Sequence, residues 1–275
     1  MKFENIRVYN FANALHGMRN PKNSWYLSDS SYGMCLYNFI PDIVSKMWIA
    51  YHGEDVPMTD EDYATIEKNI LLHHDEDIWE FAAIGPKDMK LAQTLIKSGP
   101  EHRKFLRQIF VTVDITAPIY WWKEFDTYKI GTTANSTSTM HKLTSKPITI
   151  DCFETDDYDE TLDMIDDCQL GIRADCFVND LEQLRQKYLM LKDENPVKAK
   201  KYWKELVRWL PESWLQTRTV TMNYENLLAI CSKSQRRFHK LTEWSGDGED
   251  FVTPSFIKFA RSLPYAKQFI FIDEE

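Results

Sequence analysis

The stretch APIYWWKEFDTYKIGTTANSTSTMHKL, residues 117–143, decides how the rest of the chain is read. It opens on Tyr120, Trp121 and Trp122 and closes on a track of Thr, Ser and Asn. Neither helical spacing nor strict alternation describes it. Two readings stay open: a core element with a capped end, or the wall of a ligand site. Upstream, RQIFVTVDITAPIY alternates through Ile109, Val111, Val113 and Ile115, which predicts a strand ending at Pro118. A short helix is expected from Trp121 to Asp126. Further back, GPKDMKLAQTLIKSGP predicts the clearest helix of the chain. Pro86 and Asp88 suit its first turn, Met89, Ala92, Leu95 and Ile96 share a face, and Gly99-Pro100 stops it.

The composition fits an ordinary globular protein. Of 275 residues, 43% are hydrophobic, 27% charged and 13% aromatic, so an aromatic-rich core is expected. The net charge of −9 argues against broad binding to nucleic acid or an anionic membrane. No apolar run approaches the roughly 20 residues of a membrane span. MKFENIRVYNF lacks the apolar core of a signal peptide, and a cytoplasmic location is expected. Cys35, Cys152, Cys168, Cys176 and Cys231 are scattered and form no C-x-x-C pair, so they read as reduced, mostly packing thiols.

ENIRVYNF alternates as a strand, and the polar loop HGMRNPKNSW follows it, with Arg19 and Ser24 as possible donors to a site. Residues 60–82 read as helical through Tyr63, Ile66, Ile70 and Leu71. His73 and His74 lie beside Asp75, Glu76 and Asp77. Adjacent residues on a helix point about 100° apart, so this is read as a solvated helix end and no metal site is assigned. The acidic run at about 151–168 reads as a solvated face or insertion. DLEQLRQKYLMLKDENPVKAKKYWKELVRWLP predicts two amphipathic helices broken at Asn195-Pro196. NYENLLAICSKSQRRFHKLTEW reads as one further helix. The expectation is a single α/β (α+β) domain over 1–275, with an N-terminal extension over 1–85.

No G-x-G-x-x-G, P-loop, G-x-S-x-G or H-E-x-x-H motif is present. From Asp88 onward, however, the order of features resembles the flavin-dependent thymidylate synthases. That family runs from a helix through a His-bearing turn and a strand ending at a proline to a helix with an R-H-R-x-x-S signature. The second half follows with Leu210-Pro211, Thr217-Arg218, Thr221-x-Asn223, Arg236 or Arg237, and His239 with Glu243 in HKLTEW. The likeness spans about residues 86 to 245. It implies a central mixed or antiparallel sheet with long helices.

The departures fall on the family's binding residues. Thr127, Tyr128 and Lys129 stand at R-H-R, Thr132 at the signature serine, and Thr137-Ser138-Thr139 at the serine-x-arginine step. A guanidinium offers a fixed bidentate fork, a threonine one uncharged donor, and each charged hydrogen bond lost costs roughly 1.5–3 kcal/mol. Glu124 stands where the family has a glutamine near the nucleotide. The resemblance implies FAD near Lys129, Thr132, Asn223 and His239. It implies a pyrimidine nucleotide such as dUMP near Glu124, Thr137, Ser138, Arg218, Arg236 and Arg237. It further implies methylenetetrahydrofolate and NADPH as co-substrates and a homotetramer. No protein nucleophile is implied, because the three ligands react with one another. The hydroxyl track then lines a ligand cleft. The alternatives are a catalytically inactive nucleotide- or nucleotide-signal-binding protein on the same fold, and an unrelated α/β protein.

Overall fold

The computed structural model describes residues 1–128, 130–155, 164–165, 168–245 and 254–274. The chain begins with β1 (Lys2–Tyr9), α1 (Phe11–Arg19), β2 (Ser31–Leu36), α2 (Ile40–His52) and α3 (Asp60–Ile70). Next come β3 (Leu71–Asp75), β4 (Ile78–Ala83), α4 (Pro86–Lys97), β5 (Phe110–Pro118) and α5 (Ile119–Phe125). The middle holds β6 (Thr133–Ser136), α6 (Thr139–Lys142), the short β7 (Met164–Ile165) and β8 (Cys168–Gln169), α7 (Leu170–Leu191) and α8 (Pro196–Arg208). It closes with β9 (Leu215–Asn223), α9 (Tyr224–Cys231), α10 (Lys233–Arg236), α11 (Thr242–Ser245), α12 (Phe256–Ser262) and α13 (Ala266–Phe269). One sheet has the order β1-β5-β9-β6, and an antiparallel sheet has the order β2-β4-β3. The chain is therefore α+β, with antiparallel pairing and long helices.

It divides into two compact units. Unit 1 comprises residues 1–2, 115–127 and 135–218, and unit 2 comprises 3–114, 128–134 and 219–275. In unit 1, α7 and α8 form a helical hairpin. Asn195 caps α8 through Oδ1, which accepts from the Lys198 N–H at 3.1 Å, and Pro196 occupies the first turn. Leu181 and Leu206 bury the facing stripes against Leu143, Ile148 and Phe153. Trp121, Trp122 and Phe125 on α5 are buried, with Trp121 stacked on Phe125 at 5.2 Å.

In unit 2 the core is aromatic. Phe11 of α1 meets Tyr224 edge-on at 5.6 Å and packs on Tyr265 and Phe269. The β5 alternation leaves Val111 and Val113 inside, while Asp114 between them accepts from Asn5 Nδ2 at 2.7 Å and Thr219 Oγ1 at 2.5 Å. Those two bonds hold the Asp114 carboxyl below its ordinary range. Cys231 is buried, which pushes its thiol up and makes it a packing group.

Two expected helices are shorter than read. The segment 60–82 is helical only to Ile70, and 71–83 forms the β3–β4 hairpin, which turns at Glu76 (φ 53°) and Asp77. Pairing of β4 with β2 outweighs local helical spacing there. His73 and His74 consequently point to opposite faces. His73 lies 3.4 Å from Glu80, and His74 stacks on Trp79 at 4.3 Å. The long C-terminal helix is likewise broken after Cys231. The Ser232 side chain accepts from the Gln235 N–H and starts α10. Most of the acidic run, 156–163 and 166–167, lies outside the described residues.

The start of α4 is held from a distance. Asp29 accepts from the Lys87 and Asp88 N–H groups at 2.9 and 3.1 Å, so a side chain 58 residues away caps the helix. Gly85 is required for space, since a Cβ there would lie 2.4 Å from Asp29.

Candidate functional site

Unit 1 holds four of the residues assigned to a nucleotide: Glu124, Thr137, Ser138 and Arg218. Residues two apart on a strand share a face, so β9 presents Gln216 and Arg218 together. Gln216 Oε1 accepts from Arg218 Nε at 2.9 Å. Gln216 Nε2 donates to the Thr137 carbonyl and to Thr139 Oγ1, both at 3.1 Å. The Thr137 N–H in turn donates to the Thr217 carbonyl at 2.8 Å. One carboxamide thus ties the hydroxyl track to the arginine.

The track itself splits in function. Ser138 caps α6 by accepting from the His141 N–H at 3.3 Å, which is the capped-end reading. The Thr137 side chain stays exposed beside it. Below, Trp122 supports the cluster. Its Nε1–H donates to the Gln216 carbonyl at 2.9 Å, and the Arg218 guanidinium lies over its ring at 4.2 Å. Arg218 Nη1 also donates to Asp126 Oδ1 at 3.1 Å, so a carboxylate already balances its charge. Glu124 is half-buried on α5, where its carbonyl accepts from the Thr127 hydroxyl at 2.7 Å. Asp126 and Gln216 were not singled out from sequence as site residues, and Trp122 was read only as part of the aromatic triplet. The i, i+2 spacing of Gln216 and Arg218 on a strand was the available signal.

Unit 2 holds the other assigned residues, and they are occupied structurally. Asn223 forms a capping box with Asn226, its Oδ1 accepting from the Asn226 N–H at 2.9 Å. Asn226 Nδ2 donates to the Ile130 carbonyl at 2.6 Å, and Gly131 (φ 82°) leaves room for both amides. Replacing Asn223 with alanine is expected to cost about 1 kcal/mol, the loss of one cap, read by urea denaturation. A loss near zero would mean the box does not hold α9.

Thr132 Oγ1 donates to the Tyr128 carbonyl at 3.4 Å. His239 is buried, with Nε2 3.2 Å from the Ile230 carbonyl and its ring stacked on Trp244 at 4.4 Å. Arg236 pairs with Glu274, which Arg261 also grips at 2.8 Å, and both guanidinium groups lie over Phe271. Arg237 is exposed and lies over Phe238 at 4.6 Å. Lys129 lies outside the described residues. Thr132, Asn223 and His239 take part in capping and packing within this unit. Arg19 is also committed: it is buried and pairs with Asp88 at 2.6 Å.

Among the described residues no group of three or more His, Cys, Asp or Glu is placed to hold a metal, and no helix is long and apolar enough to cross a membrane.

No family model matches the chain, and no curated protein matches it. Among solved structures it is similar to the flavin-dependent thymidylate synthase ThyX from Helicobacter pylori complexed with FAD and dUMP. That match has 16% identity and a TM-score of 0.43, and covers 88% of this chain and 96% of that one. It is also similar to a UMP/dUMP methylase, PolB from Streptomyces cacaoi, bound with 5-Br dUMP. There the identity is 14% and the TM-score 0.41, with 90% of this chain and 96% of that one covered.

Proposed function

We propose that this chain binds a pyrimidine nucleotide at the Thr137–Ser138–Gln216–Arg218 cluster and acts as a thymidylate synthase-like, nucleotide-modifying protein. The observation that carries the reading is the Gln216 carboxamide, which joins residues assigned from sequence to one polar surface. A guanidinium over an indole ring, flanked by hydroxyls and an amide, suits a ligand with one anionic group and several acceptors. The finer reading adds one-carbon transfer to a dUMP-like nucleotide, using FAD, methylenetetrahydrofolate and NADPH, in a homotetramer.

A second reading, an inactive binding protein on the same fold, is favoured by the carboxylates. Asp126 faces Arg218 and Glu274 faces Arg236, so two of the three arginines assigned to phosphate are already paired within the chain. The test is calorimetric titration with dUMP, together with the visible spectrum after FAD addition and desalting. Arg218→Ala is expected to weaken dUMP binding roughly ten-fold or more, the loss of one charged hydrogen bond. Equal dUMP affinity in that variant, or no binding to the unaltered protein, would remove the site. Retained flavin bands favour the enzyme; dUMP binding without flavin favours the inactive reading.

A further inference from the structure

Residues three or four apart on a helix share a face, so Tyr188 and Lys192 lie together on α7. Pro196, Ala199, Lys200 and Trp203 follow the same rule on α8. Together with Met140 of α6, these two faces line an open pocket of about 330 Å³ in the helical hairpin of unit 1. That size falls in the range of small-molecule sites, roughly 300–1,000 Å³. The pocket shares no residue with the Arg218 cluster.

Side-chain size makes the space. Ala199 is 1% exposed, and its methyl group leaves a gap between the helices that Leu181 and Leu206 close further along the hairpin. Tyr188 and Trp203 are half-buried and bring one aromatic ring from each helix to the lining. Met140 adds a polarisable thioether, which packs well against flat rings.

The charge in the lining is of one sign. Lys192 and Lys200 bring two ammonium groups, again one from each helix, and no Asp, Glu or His lines the pocket. Asp193 and Glu194 follow Lys192 in the turn and are not part of the lining. Among the described residues neither lysine makes an ion pair, and neither Tyr188 Oη nor Trp203 Nε1 makes a hydrogen bond. The neighbouring Lys187 is engaged instead, with its ammonium over the Tyr202 ring at 5.8 Å. The pocket thus keeps two cations and two polar ring tips uncommitted, in a chain whose net charge is −9. Attraction for an anion there comes from the two lysines and not from the chain as a whole.

We propose that the hairpin pocket binds a small aromatic acid, a flat ring system packed on Tyr188 and Trp203 and carrying one carboxylate or phosphate held by Lys192 and Lys200. The rings supply apolar contact. The ammonium groups are point charges on flexible stems, so they take either anion without imposing a bidentate geometry. An uncharged ring leaves both lysines unpaired, and a lone anion leaves both rings bare, so the ligand needs the two parts joined. This site does not depend on the nucleotide reading of the Arg218 cluster.

The test is calorimetric titration of the full chain with 1-naphthoate and 1-naphthyl phosphate, with 1-naphthol as the uncharged ring and acetate as the anion without a ring. At least one of the two acids is expected to bind about five-fold more tightly than 1-naphthol, the worth of two partly exposed ion pairs. The acid that does so identifies the anionic group. Acetate is expected to bind far more weakly than either. Raising NaCl from about 0.1 M to about 1 M should weaken the acids and spare 1-naphthol. In the double variant Lys192→Gln with Lys200→Gln, both acids should fall to the affinity of 1-naphthol. The melting temperature should be kept, because both lysines are exposed and outside any ion pair. The proposal is overturned if neither acid binds more tightly than 1-naphthol, if acetate binds as well as the acids, or if the double variant keeps the preference.

Discussion

Replacing Asp88 with alanine is expected to destabilise the protein by about 3–5 kcal/mol in urea denaturation, the cost of stranding a buried charge. Asp88 is fully buried and Arg19 is 5% exposed. One Asp88 oxygen accepts from Arg19 Nε at 2.6 Å; the other accepts from Ser28 Oγ at 2.5 Å and Ser30 Oγ at 2.6 Å. Alanine removes the counter-charge and the acceptor of two hydroxyls together. Ser30 Oγ also accepts from the Gly85 N–H at 3.0 Å, so the entry to α4 loosens as well. The double variant Arg19→Met with Asp88→Leu is expected to recover much of the loss, because an apolar pair leaves no orphaned charge. A single variant within 1 kcal/mol of the unaltered protein would show that this cluster does not order the unit.

The same cluster sets an acid limit. Burial alone pushes the Asp88 carboxyl up, but hydrogen bonds from Ser28, Ser30 and Arg19 outweigh it and hold the group below its ordinary range. A carboxyl depressed in the folded state adds stability above its unfolded value, about 3.9, and that stability is lost as pH falls through the lower folded value. Melting curves from about pH 6 to pH 3 should therefore fall less steeply for the double variant than for the unaltered protein.

What the sequence disclosed follows from local physics. The β5 strand was legible because Val111, Val113 and Ile115 alternate to one buried face. The α4 helix was legible because Pro86 opens it and Gly99, at φ 103°, closes it. Partners distant in sequence were not. Asp88 reads as a first-turn helix acid, and nothing marks Arg19, 69 residues away, as its counter-ion. The β3–β4 hairpin was hidden because Leu71, Leu72 and the histidines suit either period until β2 pairs with β4. In the candidate site, Arg218 and the hydroxyl track were singled out from the order of motifs. Gln216 was missed because a lone glutamine carries no signal until its strand face is known.

Replacing Trp122 with alanine is expected to cost about 3–5 kcal/mol, the range for emptying a buried aromatic site. Trp122 is fully buried, edge-on to Trp121 at 4.9 Å and to Phe125 at 5.4 Å, and these contacts fill the space beneath α5. The loss should appear as a fall of roughly 10 °C in melting temperature, at about 2–4 °C per kcal/mol for a chain of this size. The effect reaches the proposed nucleotide site by a defined route. The indole N–H holds the Gln216 carbonyl, and the ring face carries Arg218. Trp122→Phe separates the two contributions. It keeps an apolar ring in place but leaves the Gln216 carbonyl without its donor, a loss of about 1–3 kcal/mol. In that variant dUMP affinity is expected to fall while the fold persists, because Gln216 positions both Thr137 and Arg218. Unchanged affinity in Trp122→Phe would mean that the aromatic triplet at residues 120–122 supports the core alone. The hydroxyl track would then be a capped end and not a ligand wall.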